Sequence, residues 1–165
     1  MTEGIDRSSS NIESPKIFSL RKATVEDIPF LFRVKMDAMR PVTEALHPDQ
    51  VVDEAQKYEE YKAKFEPGKE DVVQYGGEDV GRLRVVRTPE SIYLGGIQIL
   101  KAFREIGIGT AILTELIEES KKFGVPIVLE VHDVNASAIA FYKKLGFEEV
   151  GEIKDQTVMR FVPTP

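Results

Sequence analysis

The segment that most narrows what this chain can fold into covers residues 97–117, IQILKAFREIGIGTAILTELI, where a strand pattern passes through a tight glycine turn into a long helix. Its centre is Arg104-Glu105-Ile106-Gly107-Ile108-Gly109-Thr110. Gly107 and Gly109 remove side chains where the backbone must turn, so several amide N–H groups can converge at the helix start. Such a convergence binds anions. Acids are normally favoured in a first helical turn by the macrodipole, yet residues 107–114 contain none, and Glu115, Glu118 and Glu119 come only in mid-helix. A dinucleotide fingerprint is excluded because Ile112 occupies its third glycine position, and no G-K-[ST] stands in the chain for a nucleotide P-loop.

The rest of the chain is arranged around this turn as alternating strands and helices. Residues 1–15 are polar and Ser-rich and read as a disordered tail, leaving 16–165 as one domain, the size a single core supports. A first strand is expected at 17–21. Thr24 caps a helix from Val25, with Asp27 imitating a capping box and Ile28, Leu31, Phe32, Met36 and Met39 at helical spacing. Pro41 and His47-Pro48 interrupt that helix, and Asp49 caps a second one through Val51, Val52, Ala55, Tyr58, Tyr61 and Phe65, stopped at Pro67-Gly68. From Asp71 an antiparallel meander follows: DVVQY, GRLRVVR and SIYLGGIQIL, with Gly95-Gly96 marking a bulge or a close backbone approach. Residues 126–131 read as a strand buried on both faces beside a parallel neighbour, which should be 91–100. A short helix over 135–145 ends on Gly146, and two strands near 147–153 and 155–162 close the chain.

Composition limits the functions available. No apolar run reaches the roughly 18 residues that would span a membrane. There is no cysteine, which excludes a thiol nucleophile, a disulfide framework and a cysteine-based zinc site. Two distant histidines, His47 and His132, make no recognisable metal site. The formal charge is -6, and residues 44–71 hold nine acids against four lysines. That argues against nucleic-acid binding and suits a cationic acceptor, although a solvated helix face explains it as well. Cytoplasmic residence is the default expectation.

About 30 residues beyond the glycine turn, the strand PIVLEV is followed by Asn135-Ala-Ser-Ala138-Ile-Ala-Phe-Tyr142-Lys-Lys-Leu-Gly146-Phe147. Together the two stretches resemble the paired motifs of the GCN5-related N-acetyltransferase (GNAT) superfamily: Arg-x-x-Gly-x-Gly, then N-x-x-A-x-x-x-Y-x-x-x-G-F. The resemblance implies an α/β fold with a mixed, mostly antiparallel sheet, helices on both faces and a splayed parallel strand pair around acetyl-CoA as co-substrate. It implies direct acetyl transfer to a primary amine, of a small molecule or a protein, and is compatible with a homodimer. A non-catalytic acyl-CoA sensor and a transferase of another acyl group or to a hydroxyl are the rival readings.

The resemblance also assigns residues. Arg104, Glu105, Ile106, Gly107, Ile108, Gly109 and Thr110 would form the pyrophosphate loop. Glu105 stands where many members have Gly, and Ile106 where a basic residue is usual, implying weaker cofactor affinity. The exposed backbone of Ile97 and Ile99 would pair with the pantetheine arm, and a free N–H near Ile99 would polarise the thioester carbonyl. Asn135 would touch the cofactor arm, although capping its helix also explains it. Tyr142 would protonate the leaving thiolate, although helical spacing from Ala138 also fits a core residue. For the general base, Glu44 and Tyr93 are candidates by location only, with His47 and His132 as weaker ones.

Overall fold

The structure is a computed structural model that describes residues 17–165, so the tail expected at 1–15 lies outside the described residues. Seven strands form one sheet: β1 (Ser19–Lys22), β2 (Glu70–Tyr75), β3 (Glu78–Arg87), β4 (Ile92–Ile99), β5 (Ile127–His132), β6 (Glu148–Ile153) and β7 (Gln156–Phe161), in the order β1-β2-β3-β4-β5-β7-β6. Only β4 and β5 run parallel; every other neighbouring pair is antiparallel. Four α-helices join them: α1 (Ile28–Leu46), α2 (Glu54–Lys64), α3 (Ile108–Phe123) and α4 (Ala136–Lys144).

Alternation along the strands separates two cores. Val73, Leu83, Leu94, Ile127, Leu129 and Met159 face α3, whose Ile108, Ile112, Leu113, Leu116 and Ile117 are all buried as the helical spacing predicts. Val72 faces the opposite side, where it packs with Ala23 and Leu31 in a smaller cluster under α1 and α2. Helix α3 ends on Gly124 at φ 67, with Lys121 and Lys122 in its last turn.

The first helical region departs from expectation in three ways. Residues 25–27 form a single 3-10 turn carrying the Thr24–Asp27 capping box, and the α-helix begins at Ile28. It then runs through Pro41 to Leu46, because losing one backbone hydrogen bond is offset where buried Val34 and Val42 hold the helix down on either side. The second helix is capped by Asp53, whose side chain accepts from the Gln56 N–H, and Asp49 plays no part; Val51 before it is 92% exposed.

The bulge expected at the glycine pair is present. Arg84 pairs with Gly96 and Val85 with Leu94, so Gly95 is the extra residue. The two glycines make room for two arginines of β3. A Cβ on Gly96 would sit 2.4 Å from Arg82 Nη1, and one on Gly95 3.1 Å from Arg84 Cγ and Cδ. Strand β5, by contrast, alternates between buried and accessible positions; it is not buried on both faces, because α1 and α2 leave its far side uncovered and Glu130 exposed.

Gly81 sets the spacing of β3 against β4. A Cβ there would stand 2.6 Å from the Gln98 carbonyl oxygen and 2.7 Å from Ile99 Cδ1, whereas one on Gly151 in β6 would meet nothing within 4 Å. Gly81→Ala is therefore expected to cost about 1–3 kcal/mol in denaturant unfolding, and Gly151→Ala less than about 0.5. Equal losses would show that the backbone approach at Gly81 is not limiting.

Candidate active site

Strands β4 and β5 share their ladder only at Ile92 with Ile127 and Tyr93 with Val128. Beyond Tyr93, β4 continues to Ile99 with β3 on one side and no strand of the described residues on the other. The Leu100 N–H donates to the Val80 carbonyl, and alternation in an antiparallel ladder then turns the backbone groups of Ile97 and Ile99 to the open edge. These are the residues the sequence analysis assigned to that edge. One of the four groups is taken: Arg104 Nε donates to the Ile99 carbonyl at 2.8 Å, tying the glycine loop back to the strand end.

The loop itself has the expected form. Gly107 caps α3 at φ 103, a left-handed conformation that suits glycine, and the first turn carries no acid. Glu105 is also left-handed, at φ 70, which explains why glycine fits that position and costs about 1 kcal/mol of strain with a side chain present. The N–H groups of Ile108, Gly109 and Thr110 lie in the first turn, where an α-helix supplies no acceptor of its own. A Cβ on Gly109 would meet only Phe141 Cζ, at 3.9 Å, so α4 lies directly beside this amide cluster.

On α4, Asn135 is the N-cap, its Oδ1 accepting from the Ala138 N–H at 3.3 Å. The capping reading is thus present in the geometry. Tyr142 is buried with its ring against Phe141 and Phe147, and burial pushes its phenol up to about 12. Tyr142 is thus part of the larger core, and its phenol keeps its proton at neutral pH.

The opposite face of the splay carries features that the sequence analysis missed. Tyr93 Oη donates to Glu130 Oε1 at 2.9 Å across the β4–β5 pair, and burial, then the Glu130 contact, holds the Tyr93 phenol above its usual range. The signal for Glu130 was a single acid inside the strand read as buried on both faces. Beside it opens a cleft of about 1270 Å³, walled by α1 and α2 and reaching Gly95 of the bulge, His132 and Asp155. Phe32, Met36 and Met39, expected at helical spacing, line this cleft, as do Glu44 and His47. His132 Nδ1 is buried without a hydrogen bond, 3.8 Å from Asp155 Oδ1.

The floor is a buried ionic network. Arg82 Nε donates to Glu70 Oε1 at 2.8 Å and to Tyr61 Oη at 3.0 Å, Tyr61 Oη donates to Glu70 at 2.7 Å, and Arg82 Nη1 donates to Gln98 Oε1 at 2.8 Å. Burial pushes the Tyr61 phenol up to about 12, so it remains a donor. Arg84 pairs with Glu66 at 2.8 Å and lies 3.9 Å from Glu70. No group of three or more potential metal-ligating side chains occurs among the described residues, nor any helix long and apolar enough to cross a membrane.

A family model described as the acetyltransferase (GNAT) family matches residues 36–147, which include both the glycine loop and the α4 motif. The chain belongs to that family. An uncharacterized N-acetyltransferase of Methanocaldococcus jannaschii is 53% identical over 53 residues, 32% of this chain and 24% of that protein. The ribosomal protein bS18-alanine N-acetyltransferase of Escherichia coli is 48% identical over 48 residues, 28% of this chain and 32% of its own length. The matched segment thus spans between a quarter and a third of these relatives. The solved structure of PaiA N-acetyltransferase from Thermoplasma acidophilum, in complex with coenzyme A, superposes with a TM-score of 0.65 at 18% identity, covering 88% of this chain and 98% of that one. This GNAT fold therefore extends well beyond the segment of close sequence identity.

Glu70 and Arg82 are both almost wholly buried, whereas the Glu66 side chain is 48% exposed. Glu70→Ala would strand Arg82 in the interior and is expected to cost about 3–5 kcal/mol, against a small fraction of that for Glu66→Ala. Urea unfolding of the two variants checks this, and similar losses would place the stabilisation outside the Arg82–Glu70 pair.

Proposed function

We propose that this GNAT chain is an N-acetyltransferase that moves an acetyl group from acetyl-CoA to a primary amine entering through the α1–α2 cleft. The observation that carries the reading is the open edge of β4, which lies between an amide cluster suited to a pyrophosphate and a cleft suited to an acceptor. The residues present fit the co-substrate: an acid-free helix start, a left-handed glycine at its cap, and a β4 edge at Ile97 and Ile99 that no strand of the described residues covers. Acetyl-CoA supplies the thioester. Gly107, Ile108, Gly109 and Thr110 would hold its phosphates, Arg104, Glu105 and Ile106 shape the loop, and Asn135 fixes the start of α4.

In the transfer, the amine nitrogen forms a bond to the acetyl carbon as the carbon–sulfur bond breaks. An amine with a lysine-like pKa costs about 4.6 kcal/mol to deprotonate at pH 7, so it needs a base. Glu130, which accepts from Tyr93 across the β4–β5 pair, would take that proton. Of the residues first considered for the base, Tyr93 acts here as orienter, and Glu44 lies on the cleft wall. At the other end of the reaction, a phenol near 12 giving its proton to a thiolate near 8.5 is uphill by about 5 kcal/mol. Tyr142 accordingly acts by donating a hydrogen bond to the departing sulfur, not by full transfer. The acid excess around the cleft mouth and the cysteine-free composition go with a non-nucleic acceptor and cytoplasmic residence.

Gly109→Glu is the direct test of the cofactor site, because a side chain there meets no backbone strain and no close atom but brings a carboxylate to the helix start. CoA affinity, followed by calorimetry, is expected to fall at least about tenfold with the melting temperature retained. Unchanged affinity would remove the basis of the reading.

The roles of the two side chains separate kinetically. Glu130→Gln is expected to lower kcat/KM for an amine by roughly 10²- to 10⁴-fold, and Tyr142→Phe by only about tenfold, with CoA affinity kept in both. Since Tyr142 stays protonated to about pH 12, wild-type turnover between pH 6 and 9 should show no falling basic limb from it. Thiol release measures both, and full activity in Glu130→Gln would send the base assignment elsewhere.

A further inference from the structure

The cleft holds a charge that the transfer chemistry does not use. Lys35 reaches into it from α1, half-buried, and it forms no ion pair among the described residues. Its Nζ lies 5.4 Å from the centre of the Tyr61 ring, and the Arg82 guanidinium carbon lies 5.6 Å from the same ring. The nearby carboxylates are engaged elsewhere, Glu70 by Arg82 and Glu66 by Arg84. Arg82, Lys64 and Arg84 act against the Lys35 charge, and Glu70 acts for it. A lysine normally carries its ammonium out to water, and holding one beside two arginines is unfavourable unless an anion joins them. Burial, followed by the Arg82 charge, holds the Lys35 ammonium below the usual lysine range.

The sheet is built to keep this arrangement. Arg82 and Arg84 reach it only by lying across Gly96 and Gly95, where any side chain would press on them. The bulge that parts β4 from β5 thus also brings two guanidinium groups beside the splay, next to the end of the cleft where an acceptor amine must arrive.

We propose that Lys35 is the seat for an anionic group of the acceptor, so that the enzyme selects amines that carry a negative charge. This rests on the acetyltransferase reading above. At about 1270 Å³ the cleft exceeds the roughly 300–1,000 Å³ of an ordinary small-molecule pocket, which favours an extended acceptor. The preferred source of the anion is an acidic side chain within the first few residues of a peptide whose N-terminal amine is acetylated. The carboxylate of a free amino acid offers the same chemistry, and a separate arm of the test distinguishes it.

The experiment measures kcat/KM by thiol release for short peptides that carry Glu or Gln at positions two, three or four, with free glutamate and its α-amide as the second arm. One peptide position is expected to favour Glu over Gln by roughly 10- to 100-fold. That ratio should collapse to within about threefold in Lys35→Gln and persist in Lys35→Arg, with CoA affinity and melting temperature as controls for folding. A preference confined to the amino-acid arm, and lost in Lys35→Gln, supports the anion seat and assigns its source to a small molecule. Turnover without any acid preference, or a preference that survives Lys35→Gln, overturns the proposal and leaves the acetyltransferase standing. Absence of thiol release with every amine, from a wild type that binds CoA, overturns both.

Discussion

Two strands that share a parallel ladder for only two residue pairs must leave the backbone beyond that point without a sheet partner, and the whole site is arranged around that deficit. Interior N–H and C=O groups left unpaired are costly, so an open edge persists only where something else satisfies it. Here the parting begins at the residue after Leu94, where the Gly95 bulge inserts an unpaired position and bends β4. The glycine loop then follows directly from the strand end. Arg104 fastens it by its bond to the Ile99 carbonyl, so the amide cluster of α3 is positioned by the same strand whose edge lies open.

The two faces of the sheet divide the work by their chemistry. Under α3 and α4 the core is apolar and continuous from Phe18 to Met159, which makes that side rigid. Under α1 and α2 the apolar cluster is small, and Glu70, Arg82, Tyr61 and Gln98 replace it with hydrogen-bonded charge. Such a network stabilises little in net terms, since each ion loses hydration. What it provides is a floor that is polar yet fixed, each side chain holding the next in place.

The sequence disclosed the elements whose signal is local. Glycines at 107, 124 and 146 adopt the left-handed conformations that turns and caps require, and the helical spacing of α3 marked all five of its named core residues. The bulge was legible because paired glycines inside a strand need a reason. Where the partner is remote, the sequence is silent: Phe32, Met36 and Met39 have helical spacing, but the helix face they occupy looks onto an open cleft. The Glu70–Arg82 pair and the Tyr93–Glu130 pair join residues 12 and 37 positions apart, on strands whose register no single stretch encodes. The helix through Pro41 was missed for the same reason, since burial on both sides of the proline outweighs its local penalty.

The inner cations bear on the chemistry as well as on recognition. An acceptor arriving as an ammonium brings another positive charge toward Lys35, Arg82 and Arg84, and that repulsion favours its neutral form, as burial and Arg82 already do for Lys35. Each unit by which the amine is lowered removes about 1.4 kcal/mol from the cost of deprotonation. On the base assignment proposed above, Glu130 then has less to supply, which suits a carboxylate, a weak base beside an amine. An anionic group on the same acceptor offsets the repulsion at the level of binding while leaving the amine end in the cationic field. One charge arrangement can thereby admit the substrate and prepare its nucleophile, provided the anion and the amine are far enough apart to be held separately.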